Sequence, residues 1–180
     1  MFDMKREILM ATSKAKPKPR TAAKKKAVQA TPGEAEAQLA GFVAKFTPEI
    51  AALTEAVLAR MRRLHPHALE LVYDNYNALA VGFSPTERAG DGIFSIAVYP
   101  RWISLFFLQA KGLPDPAKLL QGSGSVARHI VLPSLAVLNS PEVQSLMAAA
   151  LELAKVPFDP AVKHRVIIKS VSEKQRLRRP

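Results

Sequence analysis

The densest group of residues that could bind a ligand follows Leu120, where small and polar residues precede a short apolar run. Closely spaced Gly and Ser residues can turn consecutive backbone N–H groups inward and form a concavity that binds an anion. An arginine adds a two-pronged donor, and a histidine adds a group that titrates near neutral pH. The alternative is a flexible turn leading into a strand with exposed Arg and His side chains, and spacing alone favours it. The residues of this candidate ligand site are Gly122, Ser123, Gly124, Ser125, Arg128 and His129.

Other reactive side chains lack the spacing of a catalytic or metal site. The Gly-Ser segment lacks the glycine spacing and the Lys-Ser/Thr pair of a phosphate-binding P-loop, and no serine lies in a G-x-S-x-G elbow. His65 and His67, together with Glu70, could bind a divalent metal, but no ligand beyond the histidine pair has a defined spacing. The favoured alternative is that the two histidines lie in an exposed helix-to-strand loop. No catalytic residue is therefore assigned. An enzyme that acts on an anionic substrate at the Gly-Ser segment is the least supported alternative, because no general base or nucleophile is placed beside that segment.

Two further sets of side chains are expected to be structural. Asp74, Glu87 and Asp91 could hold a hard cation, but they lack the spacing of a calcium loop and are expected to be solvated turn residues. An aromatic set could stack nucleic-acid bases on an exposed sheet, but no RNA-recognition signature accompanies it, so core positions are favoured. This set is Tyr73, Tyr76, Phe83, Trp102, Phe106 and Phe107.

The net charge of +11 is concentrated at the two ends of the chain. Residues 1–33 hold nine basic and two acidic residues, and residues 162–180 hold seven and one, whereas the body between them holds ten and twelve. Such basic segments attract polyphosphates by counterion release, so nonspecific nucleic-acid binding is expected, with a solubility tail as the alternative. The residues of the nucleic-acid arms are Lys14, Lys16, Lys18, Arg20, Lys24, Lys25, Lys26, Arg176, Arg178 and Arg179.

Composition and charge divide the chain into three parts. Residues 1–33 are expected to be a disordered basic arm, residues 34–161 a single folded domain, and residues 162–180 a basic C-terminal extension in which residues 165–171 could add an edge strand. The absence of Cys excludes disulfides, thiolate catalysis and Cys-based metal sites. With no apolar stretch of about 20 residues, a membrane partner is not expected, and a cytoplasmic location is.

The periodicity of apolar residues predicts an α+β fold. Apolar side chains at helical spacing predict helices before and after Thr47-Pro48, and Ser140-Pro141 begins a helix near the C-terminus. A short helix is expected at residues 117–120. Alternating and β-branched segments between residues 70 and 132, joined mostly by short turns, predict an antiparallel sheet of about five strands packed with N-terminal and C-terminal helices.

Residues from about Glu70 to Leu153 resemble the YdhG-like family, a widespread bacterial group of small domains mostly of unknown function. The preceding helices fit the same pattern. Some members are described as intracellular iron chaperones that act like frataxin, so the resemblance implies an α+β domain and iron as a ligand or cofactor. The matching segments are Tyr76-Asn77-Ala78, Ile93 to Ala97, Trp102 to Phe107, Leu113 to Pro116, Gly122 to Gly124 and Arg128-His129-Ile130.

Two functions are therefore expected as alternatives. The first is a non-enzymatic binding domain of the YdhG-like family that handles iron or a small anionic ligand near the Gly-Ser segment. The second is a nucleic-acid-associated protein that binds through its basic ends.

Overall fold

A computed structural model describes residues 31–179, which form an α+β fold as the sequence predicts. Within this range there are four α-helices and six strands, with a short 3-10 turn before the third strand. The helices are α1 (Pro32–Val43), α2 (Pro48–Leu64), α3 (Leu135–Leu138) and α4 (Pro141–Glu152). The strands are β1 (Leu69–Asp74), β2 (Leu79–Ser84), β3 (Phe94–Val98), β4 (Ile103–Phe107), β5 (Arg128–Val131) and β6 (Arg165–Val171).

Local capping signals fix where the three longer helices begin. The Thr31 hydroxyl accepts a hydrogen bond from the backbone N–H of Glu34, and the Glu34 carboxylate accepts one from the N–H of Thr31 at 2.7 Å. Thr47 and Ser140 cap α2 and α4 in the predicted way, each followed by a proline at the first helical position. No helix among residues 31–179 is long and apolar enough to cross a membrane.

The strands form a single mixed sheet in the order β5-β4-β3-β2-β1-β6. The first five strands are antiparallel neighbours, whereas β6 pairs with β1 in parallel. Between β5 and β6 the chain passes through α3 and α4 and returns at the opposite edge, and such a long crossover permits parallel pairing. The sheet thus has one strand more than the five expected, and that strand spans residues 165–171.

The two faces of the sheet have different neighbours, because successive side chains of a strand point to opposite sides. Val72, Val81 and Ile96 lie in one row across the sheet and pack in a single hydrophobic cluster with the buried residues of all four helices. We call this side the helix face. Strand alternation assigns the opposite side, which we call the outer face, to Leu69, Leu71, Tyr73, Ala80, Gly82, Ser84, Ser95, Ala97, Ser104, Phe106, His129, Val131, Arg165, Ile167 and Ser170. Tyr99 and Trp102 lie just outside β3 and β4 and continue this phase, because the Tyr99 N–H donates to the Trp102 carbonyl oxygen at 2.9 Å.

One predicted helix is absent and one unpredicted helix is present. Residues 117–120 form a turn, because the Asp115 carboxylate accepts hydrogen bonds from the backbone N–H groups of Leu119 and Leu120 at 2.9 and 2.8 Å. Lys118 within this turn has a positive φ of 55°, which interrupts helical geometry. Helix α3 spans only four residues, too few to show a helical period in the sequence.

Candidate functional site

The predicted Gly-Ser segment is a tight, exposed turn at the start of edge strand β5. Gln121 and His129 exchange backbone hydrogen bonds of 2.8 and 3.0 Å and close the turn. Gly122 has a φ of +104°, and a β-carbon at Gly124 would come within 2.9 Å of the Ala127 carbonyl oxygen. Both glycines are therefore required by the backbone path, and residues 122–125 are exposed.

The structure separates the two side chains that were expected to complete this site. Arg128 pairs with Phe107, a residue of the helix face, whereas His129 pairs with Phe106 on the outer face. The His129 ring stacks on Phe106 with centroids 5.0 Å apart, and a β-carbon at Gly122 would lie 3.4 Å from its Nδ1 atom. The fold thus brings His129 beside Gly122 but directs Arg128 to the other side of the strand.

The histidine pair after α2 was expected to lie in an exposed loop. This expectation is wrong for His65, which is buried. His65 caps α2 and is 6% exposed, with its ring stacked 5.0 Å from Phe94. Its Nε2 atom is buried without a hydrogen-bond partner. Burial lowers the pKa of His65 from 6.5 to about 4. His65 is thus a neutral core residue near neutral pH, whereas His67 lies on the surface side and its Nδ1 is 3.1 Å from the Val162 carbonyl oxygen.

Glu70 is fully buried on the helix face and is held by a network that joins distant parts of the chain. Its carboxylate accepts hydrogen bonds from Arg62 Nε and a second guanidinium nitrogen at 2.6 and 2.8 Å, and His164 Nε2 lies 3.0 Å from it. Burial would raise the pKa of Glu70, but the hydrogen bonds from Arg62 and His164 outweigh it and lower the pKa. The same carboxylate raises the pKa of Arg62, and Glu36 makes a further ion pair with Arg62 at 3.1 Å.

Asp74 is likewise buried, contrary to the expectation of a solvated turn carboxylate. It is 1% exposed and forms ion pairs with Lys45 at 2.7 Å and with Arg178 at 3.0 Å, while Gln175 donates a further hydrogen bond. Glu87 and Asp91 are the other two carboxylates that were expected to be solvated. The Glu87 side chain is 48% exposed and pairs with Arg165, whereas the Asp91 side chain is 17% exposed and accepts a hydrogen bond from Thr86.

The C-terminal basic residues, expected to form a nucleic-acid arm, are largely engaged with the folded body. Arg178 is buried against Asp74 and lies 5.3 Å from the centre of the Phe46 ring. Arg179 donates hydrogen bonds to the carbonyl oxygens of Phe46 and Ala44. Of the three C-terminal arm residues, only Arg176 is exposed without an ion pair or side-chain hydrogen bond within residues 31–179. The predicted arm residues between Lys14 and Lys26 lie outside the described residues.

Two further candidates for a ligand site are a metal centre and a groove between the first two helices. Residues 31–179 contain no cluster of three or more His, Cys, Asp or Glu side chains that could hold a metal ion. The iron-handling role implied by the YdhG-like resemblance stays a prediction. A groove between α1 and α2, with Leu39 and Leu58 among its lining residues, has a volume of about 140 Å³. This volume is below the 300 Å³ or more that is usual for small-molecule sites.

The outer face instead carries aromatic rings that were expected to lie in the core. Phe83 and Phe107 are core residues as predicted, but Trp102 is 45% and Tyr76 53% exposed. The Trp102 ring stacks on Tyr99, with centroids 4.8 Å apart and an interplanar angle of 22°. Tyr73 and Phe106, the other two members of the set, are partly exposed on the same face.

The charges of the sheet are also divided between its two faces. The six strands contain only two carboxylates, Glu70 and Asp74, and both lie on the helix face in the ion-pair networks described above. On the outer face, alternation places Arg165 but no acidic strand residue, and Arg165 is paired with Glu87 of the loop after β2. Lys169 lies at the bulge of β6, and its Nζ atom donates a hydrogen bond to the Glu87 carbonyl oxygen. Arg101, in the turn between the two stacked rings, is exposed without an ion pair or side-chain hydrogen bond among the described residues. The outer face thus combines exposed aromatic rings with an absence of strand carboxylates, and Arg101 is an exposed cation at its end.

The sequence contained the signal for this surface in the phase of its strands. Ser95, Ala97 and Tyr99 alternate with the apolar residues that face the helices, and Trp102 and Phe106 have the corresponding phase along the next strand.

Comparisons of the chain with protein-family models, with curated proteins and with solved structures found no match.

Proposed function

We propose that this protein binds nucleic acid, with its basic N-terminal segment and its outer face acting on the same polyanion. The observation that carries the proposal is the division of charge across the sheet. Both strand carboxylates are buried and paired on the helix face, while the outer face has no acidic strand residue, and Glu87 beside it is paired with Arg165. A polyanion approaching the outer face therefore meets no carboxylate on the strands themselves.

Exposed cations at one end of the sheet support the same proposal. The β1–β2 turn, the β3–β4 turn and the chain after β6 all lie at this end, because Asp74 pairs with both Leu79 and Val171. Arg101, Lys174 and Arg176 are exposed there, and none has an ion pair or side-chain hydrogen bond with another described residue. Phosphate groups can contact such side chains without displacing an internal partner.

The N-terminal segment adds charge that acts at longer range. Residues 8–33 contain seven Lys and Arg residues and no Asp or Glu. Neutralising phosphates releases condensed counterions, so binding weakens steeply as the salt concentration rises. For single strands the slope of log K against log salt is about −0.7 for each phosphate neutralised.

Fluorescence anisotropy with a labelled 30-nucleotide single strand tests the proposal. The full chain is titrated at salt concentrations from about 50 to 200 mM, beside a variant in which Lys14, Lys16, Lys18, Lys24, Lys25 and Lys26 are replaced by Gln. We expect the variant to bind more weakly and to lose up to about 4 in the slope of log K against log salt. A Lys111→Gln, Lys155→Gln variant, altered at exposed positions outside the outer face, is the control and should bind nearly as well as the unaltered chain.

The outcomes separate the two parts of the proposal. No binding by the unaltered chain at 50 mM salt would overturn the function itself. Equal affinity and equal salt slope for the unaltered chain and the six-lysine variant would remove the N-terminal segment from the interface.

A further inference from the structure

We propose that the Tyr99–Trp102 and Phe106–His129 ring pairs of the outer face form a stacking site for unpaired nucleic-acid bases. The inference rests on the proposed function and names the form of nucleic acid that the site would take. Each pair is already stacked, with centroid distances of 4.8 and 5.0 Å and interplanar angles of 22° in both. Two preformed flat platforms therefore lie on one side of the sheet.

The two platforms are aligned along strand β4. Trp102 directly precedes β4, and the hydrogen bond from Tyr99 N–H to its carbonyl oxygen extends the strand pairing by one residue. Trp102 therefore has the same phase as Phe106, four residues later, and the two side chains lie about 13 Å apart on the same face. Nucleotides stacked as in a duplex strand follow one another at about 3.4 Å. A strand that reaches both platforms therefore spans about four nucleotides when stacked, and fewer when it is extended.

The surface between the platforms is low and polar enough to admit flat rings. Ser95 pairs with Phe106, and Ala97 pairs with Ser104, so the central positions carry small side chains. The neighbouring Gly82 has no side chain at all. Ala97 and Ser104 are only 6% and 1% exposed, so the partly exposed Ser95 is the serine whose hydroxyl can donate to or accept from the edge of a base on this surface.

Charge favours a nucleic acid over a second copy of this chain as the occupant. The strands carry no carboxylate on the outer face, Glu87 beside it is paired with Arg165, and Arg101 is exposed in the turn beside Trp102. The outer face of a second copy would offer Arg101 no strand carboxylate as a partner, whereas phosphates would be attracted to this arginine. An acidic peptide would satisfy the charge but would need an aromatic side chain for each of the two platforms, whereas every nucleotide carries a flat base.

Stacking on protein rings requires that the faces of the bases be accessible. In a duplex each base is covered by its neighbours and paired at its edge, so the site should distinguish single strands from duplexes. The basic N-terminal segment has no such requirement, because it contacts phosphates. This difference allows the platform and the basic segment to be tested separately in the full chain.

Trp102 is the only tryptophan of the protein, so its fluorescence reports on one platform directly. Binding of an unlabelled oligothymidylate of 15 nucleotides is expected to quench this fluorescence. An abasic oligonucleotide with the same backbone, and a duplex of the same length, should bind through phosphate contacts but leave the emission nearly unchanged. Quenching of equal size by the abasic strand would overturn the proposal, because no base would then be needed.

Affinity measurements with substituted full-length chains complete the test. Loss of one stacking ring typically weakens single-strand binding about 5- to 150-fold, and we expect a loss in this range for Trp102→Ala. The matched Trp102→Phe variant keeps a flat ring and should remain within about threefold of the unaltered chain. Unchanged single-strand affinity of Trp102→Ala would overturn the stacking site while leaving the proposed function intact. Absence of binding by every chain to every oligonucleotide would overturn both.

Discussion

His65 makes the stability of this fold sensitive to mild acid. The residue ends α2, lies between the rings of Phe94 and Phe158, and is 6% exposed. Its buried Nε2 atom has no hydrogen-bond partner, so nothing at that atom compensates for a positive charge on the ring. Burial accordingly lowers the pKa of His65 from 6.5 to about 4. A neutral imidazole is therefore required in the folded protein.

The direction and the size of the effect follow from proton linkage. Between pH 6.5 and pH 4 the unfolded chain binds a proton at His65 that the folded chain does not, so the free energy of unfolding falls as the pH falls. The full stabilisation is present above pH 6.5, and the loss is complete once the pH passes below about 4. The interval between these two pKa values corresponds to about 3 kcal/mol. Such a loss is a large fraction of the 5–15 kcal/mol that typically stabilises a domain.

The assay is urea unfolding at several pH values between 7 and 4, performed on the unaltered chain and on a His65→Phe variant. Phenylalanine keeps an aromatic ring between Phe94 and Phe158 but cannot be protonated. The difference in unfolding free energy between the two chains should shift by about 3 kcal/mol in favour of the variant across this range. Contributions of Glu70 and of the other histidines are common to both chains and cancel.

A His67→Gln variant controls for the loss of one imidazole two residues away. The same difference in unfolding free energy, measured for this variant at a half-buried position, is the baseline for the His65 result. The reasoning would be refuted if the difference between the unaltered chain and His65→Phe stayed within about 0.5 kcal/mol from pH 7 to pH 4. That result would mean that water or a rearranged neighbour solvates the charged ring.

Two further predictions concern the buried carboxylates. Arg62→Ala should cost about 3 kcal/mol in urea unfolding at pH 7, because it leaves a buried carboxylate with His164 as its only partner. The exposed neighbour Arg63→Ala should change stability by less than about 0.5 kcal/mol, and equal losses for the two would contradict the network's role. Arg178→Ala should speed hydrogen exchange of residues 172–179 at least tenfold, whereas Leu177→Ala, at an 81% exposed position, should not. Unchanged exchange in Arg178→Ala would show that the ion pair with Asp74 does not hold the segment.

The secondary structure was predictable from the sequence wherever its signals are local. Thr47-Pro48 and Ser140-Pro141 identify two helix starts because a side-chain cap and a fixed proline φ act within one turn. The turn at residues 117–120 was missed because the Asp115 carboxylate captures the two N–H groups that a helix would use. Competition of this kind depends on side-chain geometry that apolar periodicity does not encode.

The electrostatic networks could not be predicted, because their members are far apart in sequence. Glu70 lies 94 residues before His164, and Asp74 lies 104 residues before Arg178. Within its own strand, each carboxylate has only apolar neighbours and no basic partner. A carboxylate without a partner is expected to be solvated, so the sequence alone places it at the surface. Only the parallel pairing of β6 with β1 brings the C-terminal partners to them.

The aromatic surface was in principle predictable from strand phase but not from residue type. Large aromatic side chains are usually core residues, and this rule holds for Phe83 and Phe107. Trp102 lies one residue before Ile103, so its side chain points to the opposite face of the sheet. Ile103 faces the helices, and Trp102 therefore lies on the outer face. Whether that side is covered by another element cannot be read from a single strand, so the pattern alone did not distinguish a second core from a surface.

The net charge of the folded body underestimates how strongly its outer face should attract a polyanion. Residues 34–161 contain ten basic and twelve acidic residues, yet the two acidic residues on the strands are buried on the helix face within ion pairs. Attraction by phosphate contacts weakens with salt, whereas stacking of bases on Trp102 involves no counterion release. If both operate, raising the salt concentration should lower the affinity while leaving the quenching of Trp102 at saturation unchanged. A decline of that quenching at saturation as salt rises would indicate instead that the tryptophan senses phosphate contacts rather than bases.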